Sequence, residues 1–168
     1  MARFINGLGG LALVLTSLVV EEKIVIDETM GASTHILHKR ITEVFGDRTK
    51  LAELSQWTQD ERTALGFSPN DPLLRNGKLL RDHVEREHLG NVGRVGSDEI
   101  VQYYSEMGYV NARTGTSVPP RPTFRIGLAE SKEEIVTAFT DALGFLFLGT
   151  GTAALRRWRD GHVPGLMP

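Results

Sequence analysis

The chain contains no cysteine. That excludes disulfides, thiolate metal sites and a cysteine nucleophile, and it fits a reducing compartment. An excess of charge is also missing: the formal net charge is −2, so nothing draws the whole chain to nucleic acid or to an anionic membrane. No run is long enough to span a bilayer. Leu8 to Val20 is almost uniformly apolar, but Glu21, Glu22 and Lys23 close it before the ~20 residues a spanning helix needs. A signal peptide is the better rival for this segment. SLVVEEK offers no small-x-small cleavage site, however, and only Arg3 precedes the run, so a buried helix is the expectation. Internal repeats and low-complexity segments are absent.

What is present suffices for one domain. The length of 168 residues and a hydrophobic share of 40% allow a core without a covalent or metal staple. Leu8, Leu11, Leu15, Leu18 and Val19 recur at helical spacing, and Ile26, Met30, Leu37, Ile41, Val44 and Phe45 resume it. This predicts one long N-terminal helix, or two halves with a break near Gly31. Gly46 is a natural stop. Residues 47–76 form a long polar connection, with a short helix around Leu51, Leu54, Trp57 and Leu65 and a turn cluster from Ser68 to Pro72. Connections of this length are usually functional or mobile.

Val84 to Leu89 and Gly90 to Ser97 fit a hairpin turning near Gly90 and Asn91. Ser97 is placed to cap the next helix, with Asp98 and Glu99 favourable in its first turn. Ile100, Tyr103, Tyr104 and Met107 form an i, i+3, i+4, i+7 stripe on that helix, and Gly108 ends it. A loop follows from Tyr109 to Val118. Pro119, Pro120 and Pro122 then force an extended path around Arg121. Phe124, Ile126 and Leu128 alternate as a strand. Ser131 and Glu134 read as a capping box for a final helix carrying Ile135, Phe139, Leu143, Leu146 and Phe147. The order predicts an α+β fold: a small antiparallel sheet packed against a long N-terminal helix and a C-terminal helix, with long loops. Residues 1–149 form the domain, and residues 150–168 a C-terminal arm.

Catalytic patterns are weak. His35 and His38 share a helix face but have no carboxylate beside them in sequence. His83 and His88, read on the first strand of the hairpin, are five apart and point to opposite faces. Gly96-Ser97 is no nucleophile elbow. The glycines at 7–10 and 149–152 lack the context and the lysine of a phosphate loop. The expectation is no catalytic residue, no cofactor and no metal. Arg156, Arg157 and Arg159 flank Trp158. Four residues do not make a nucleic-acid face, so an arm reaching a neighbouring subunit, or a solvated end, is expected.

One stretch has order without chemistry. Leu74, Gly77, Leu80 and Arg81 are followed by Gly96, Ser97, Tyr104, Glu106 and Gly108, and then by Pro120, Arg121, Pro122 and Phe124. This succession resembles the tail-component family of long-tailed bacteriophages, the head–tail joining or tail-completion proteins. The resembling part extends over about residues 5–148. Departures include Asn76 where threonine is usual and Thr123, which shifts the aromatic by one position.

The resemblance implies a virion structural protein, assembled in the host cytoplasm. It would form a ring, six copies in the family pattern, at the neck between capsid connector and tail tube. The implied partners are the chain itself, head–tail connector or adaptor proteins, and a tail terminator or tail tube protein. DNA would pass through the lumen without sequence-specific binding, and no membrane is involved. A tail terminator or a head-completion ring is the alternative within the class. A small metal-dependent hydrolase using His35 and His38 is the rival outside it. Arg121, held among prolines, would pair with a carboxylate across the subunit interface, or with one inside its own subunit at the loop base.

Overall fold

In a computed structural model of the chain, residues 7–71, 73 and 80–147 are described, with side chains for residues 22–71, 73 and 80–144. Leu74, Gly77 and the arm residues Arg156, Arg157, Trp158 and Arg159 lie outside the described residues.

The N-terminal periodicity produces one helix, α1, Gly7–Val44. It does not break at Gly31. Val25, Thr29, Ala32 and Ile36 follow one another along its buried stripe, and Ile41, Val44 and Phe45 continue the burial. The buried hydroxyls on this stripe satisfy themselves within the helix: Thr29 Oγ1 donates to the Val25 carbonyl at 2.6 Å and Ser33 Oγ to the Thr29 carbonyl at 2.8 Å. Gly46 stands just past the helix with φ 82°, the left-handed stop that the sequence predicts. No described helix is long and apolar enough to cross a membrane.

The polar connection holds α2, Gln56–Ala64, whose Ser55 hydroxyl accepts the Thr58 N–H. Trp57 lies on it and is exposed; Leu51 precedes it and is buried. A 3-10 turn, Arg81–His83, leads into the hairpin of β1, Glu85–Leu89, and β2, Val92–Gly96. His83 therefore stands before the first strand, not on it. Helix α3, Ile100–Met107, follows, and Gly108 ends it as expected. Ser97 is not its cap. It lies two residues short of the cap position, held by Glu99, and its hydroxyl instead accepts the Glu99 N–H at 3.2 Å. The expected loop from Tyr109 to Val118 contains a second small ladder: β3, Tyr109–Val110, pairs antiparallel with β4, Ser117–Val118.

The largest departure is α4, Thr123–Phe147. The strand expected at Phe124, Ile126 and Leu128 is the first part of this helix. The capping box at Ser131 and Glu134 does not exist: Ser131 Oγ donates to the Leu128 carbonyl inside the helix, and Glu134 reaches Arg40. Three alternating residues cannot distinguish a strand from a short helix segment. The fold class is α+β: the described residues form four α-helices and two separate two-stranded ladders rather than one sheet.

The described residues divide into two compact units. One comprises α1 up to Ser33, His88–Gly93 and α4 from Val136; the other comprises Thr34–Glu87 and Arg94–Ile135. In the first, His88 at the hairpin tip lies over Gly31, and a Cβ there would sit 3.3 Å from the imidazole. His88 Nε2 donates to the Gly90 carbonyl at 3.1 Å and lies 3.1 Å from the Asp27 carboxylate. In the second, Ile41, Phe45, Leu80 and Val84 make a buried cluster, joined by Leu37, Leu73, Val95 and Phe124. Here α1 and α4 approach backbone to backbone: a Cβ on Gly127 would lie 2.7 Å from Ile41 Cα. Only a hydrogen fits at that position, which fixes the crossing of the two helices.

Candidate functional site

Six of the residues singled out in sequence meet at one place in the second unit. Glu106, on the inner face of α3, extends its carboxylate to the start of α4. One oxygen accepts the Phe124 N–H at 2.7 Å and the Thr123 hydroxyl at 2.8 Å. The Gln102 amide donates to the Thr123 hydroxyl at 2.7 Å and reaches Glu106 at 3.4 Å. A carboxylate satisfying the first amides of a helix also meets the positive end of its dipole. This explains why α4 begins at Thr123, directly after the prolines, rather than at Ser131. Pro122 supplies the first accepting carbonyl, to the Ile126 N–H at 3.0 Å.

Gly108 is required by the same junction. Its φ is 71°, and a Cβ would stand 2.9 Å from both the Pro120 nitrogen and the Val118 carbonyl oxygen. The proline segment thus crosses directly over the end of α3. Arg121 is anchored by its backbone and its side chain. Its N–H donates to the Ser105 carbonyl at 2.6 Å. Its guanidinium donates to the carbonyls of Ala52 and Glu53, each at 3.0 Å. Among the described residues it pairs with no carboxylate of its own chain, one of the two expected partners: two main-chain carbonyls of the 47–76 connection take that place. Half-burial lowers the pKa of the guanidinium from its usual value, with the Tyr109 phenol acting in the opposite direction.

The remaining singled-out residues lie apart from this junction. Leu80 belongs to the buried cluster, and Gly96 and Ser97 lead from β2 towards α3. Tyr104 is on the opposite face of α3, edge-on to Tyr103 at 5.8 Å and to Tyr109 at 6.0 Å. That face is the whole of the apolar stripe, and it is turned outward. Ile100 is 61% exposed, Tyr103 61% and Met107 57%, while the buried residue of the helix is Gln102. Val101, Tyr109 and Val110 extend the patch and are also exposed. The helix is inside-out relative to the usual rule, with its polar side used for internal hydrogen bonds.

Sequence reasoning missed Gln102, Thr123 and Gly127. The first carried a signal: Gln102 and Glu106 are four apart, on the face opposite the stripe, and that spacing aligns them on one side of a helix. The helical histidines are engaged structurally. His38 Nε2 donates to the Val84 carbonyl at 2.9 Å, beside an open groove of about 670 Å³ lined by Thr42, Glu43, Arg81 and Asp82. His35 Nδ1 accepts from the Arg86 guanidinium at 2.6 Å. Its pKa is lowered, first by burial and then by the positive charge of Arg86. Neither histidine joins a group of three metal-ligating side chains among the described residues.

What the described residues define is an α+β fold with an internally braced junction and an outward apolar helix face. No family model, curated protein or solved structure matches the chain.

Proposed function

We propose that this chain is a structural subunit of a long-tailed phage virion, forming a ring at the head–tail interface that joins the capsid connector to the tail tube. The observation that carries the reading is the outward stripe of α3. Apolar side chains of this size in one contiguous patch mark a surface that another protein covers. A ring of identical subunits provides such a cover through a heterologous contact, in which one patch meets a different surface of the next copy. The succession of Gly96, Ser97, Tyr104, Glu106, Gly108, Pro120, Arg121, Pro122 and Phe124 supports the phage assignment by resemblance. Six of these residues, Glu106, Gly108, Pro120, Arg121, Pro122 and Phe124, meet at the junction that holds α3 with its apolar side outward. The tether from Arg121 to Ala52 and Glu53 draws the long connection to the same junction. Loops 47–76 and 109–118 would gain their final order against neighbouring rings, with the ordering entropy offset by the interface they bury.

Negative-stain imaging of the purified protein, alone and with a connector ring, tests this. The expected images show closed rings, and Tyr103→Glu abolishes them. A protein that remains monomeric under both conditions overturns the reading.

A further inference from the structure

His83, Asp98 and Glu99 stand at the open end of the hairpin, two of them after β2 and one before β1. Their ligating atoms all lie within 4.8 Å of one another. His83 Nδ1 and Glu99 Oε1 are 3.5 Å apart. Two ligands at metal–ligand distances near 2.0–2.1 Å in a tetrahedral arrangement are themselves about 3.4 Å apart, so this pair already has the required spacing. The Asp98 carboxylate lies within 4.8 Å of both.

Both carboxylates are uncommitted to the helix that follows. Glu99 occupies the cap position of α3 yet makes no capping hydrogen bond with its side chain. Asp98 makes no hydrogen bond or ion pair among the described residues. The Glu99 carboxylate faces the His83 imidazole instead.

The hairpin itself gives such a site a purpose. Every residue of β1 is exposed, and only Val95 of β2 is partly covered. A two-stranded ladder exposed in this way is marginal in water. Between its two strands the described side-chain contact is Arg94 to Glu87 at 3.8 Å, a pair too exposed to add much, while Arg86 and His88 reach back to His35 and Asp27 on α1 and Val95 packs on the buried cluster.

We propose that His83, Asp98 and Glu99 bind a divalent cation of the zinc class, which clips the two strands together where they leave the domain. One imidazole and two carboxylates favour zinc, cobalt or nickel over magnesium, which prefers oxygen ligands in octahedral geometry. The remaining coordination position is open to water or to a donor from a partner. This site shares no residue with the outward stripe or with His35 and His38, and it holds whether or not the chain forms a ring.

The test is a titration of the full chain with Zn²⁺ by calorimetry, with Mg²⁺ as comparison, together with hydrogen exchange of residues 85–96. One equivalent of Zn²⁺ is expected to bind, and to slow exchange across the hairpin. His83→Ala and Glu99→Gln should each weaken binding by roughly tenfold or more. His88→Gln should leave it unchanged. Glu99→Gln conserves shape, so the test stands even if His83→Ala fails to fold. Zinc affinity unmoved by both substitutions overturns the site. Zinc binding that leaves exchange of residues 85–96 unaltered overturns the clip.

Discussion

Glu106 takes hydrogen bonds from three groups across the junction, and two of its partners, Gln102 and Thr123, are fully buried. Removing the carboxylate leaves buried donors without an acceptor. Glu106→Ala should therefore cost about 2–3 kcal/mol in urea unfolding, and Glu106→Gln, which retains one acceptor oxygen, distinctly less. Gly127 is sensitive for another reason. The atoms that an added Cβ would meet include Ile41 Cα at 2.7 Å and Ile41 N at 2.8 Å, and backbone cannot rotate away. Gly127→Ala is expected to destabilise by about 1–3 kcal/mol in spite of alanine's better helix propensity. At this chain length each kcal/mol lowers the midpoint of a thermal melt by about 2–4 °C. His35 gives the chain a pH response. Its folded pKa is lower than the ordinary 6.5, so the unfolded chain takes up a proton first as pH falls. The stability associated with neutral His35 is complete above pH 6.5 and declines as pH drops towards the folded value. Urea midpoints measured from pH 7.5 to 5.5 should fall, and His35→Gln should flatten that slope.

At the scale of elements, α1 and α4 are joined in the second unit by packing at Ile41 and Gly127, with ion pairs around it. Arg40 bridges Glu43 at 3.1 Å and Glu134 at 2.9 Å, and Lys50 reaches Glu130 at 2.8 Å. These side chains are more than a third exposed or nearly so, and solvent screens them. A double-mutant cycle on Arg40 and Glu134 should give a coupling below about 1 kcal/mol, smaller than the effect of Gly127→Ala. The misread element, α4, is instructive at this scale. Phe124, Ile126 and Leu128 satisfy period two, and Phe124, Leu128 and Ile135 satisfy the helical period equally well. The tie is broken by Glu106, seventeen residues before Thr123. Its carboxylate supplies the amide partner that a helix start needs, and no local pattern records it. The hairpin was legible because Gly90-Asn91 is a turn signal that acts locally.

For the whole molecule, the decisive feature is which way α3 faces. Ile100→Glu with Met107→Glu places charge on a surface that is exposed within the subunit. The expected change in stability is within about 0.5 kcal/mol, while the self-association that the proposed ring requires, measured by light scattering, is lost. A large loss of stability would instead mean that the stripe is covered within the subunit. The contrast with Glu106→Ala separates the two roles of α3: its inner polar face holds the subunit, and its outer apolar face is the one available to a neighbour.

The sequence by itself determined that the N-terminal and C-terminal stretches are helical, though not that α1 is unbroken or where α4 begins, together with the stops at Gly46 and Gly108, the hairpin turn and the α+β class. These depend on interactions within a few residues, which composition and spacing encode directly. It also marked Glu106, Gly108, Pro120, Arg121, Pro122 and Phe124 within a longer succession that includes Leu80, Gly96, Ser97 and Tyr104. Only the tertiary structure decided what the group does, because its bonds run between α3, α4 and the 47–76 connection. The same holds for the outward stripe. Spacing places Ile100, Tyr103, Tyr104 and Met107 on one face, but whether that face is core or surface depends on what the opposite face can bond. Gln102 and Glu106 find buried partners at Thr123 and Phe124, so the polar side turns in and the apolar side is left to solvent.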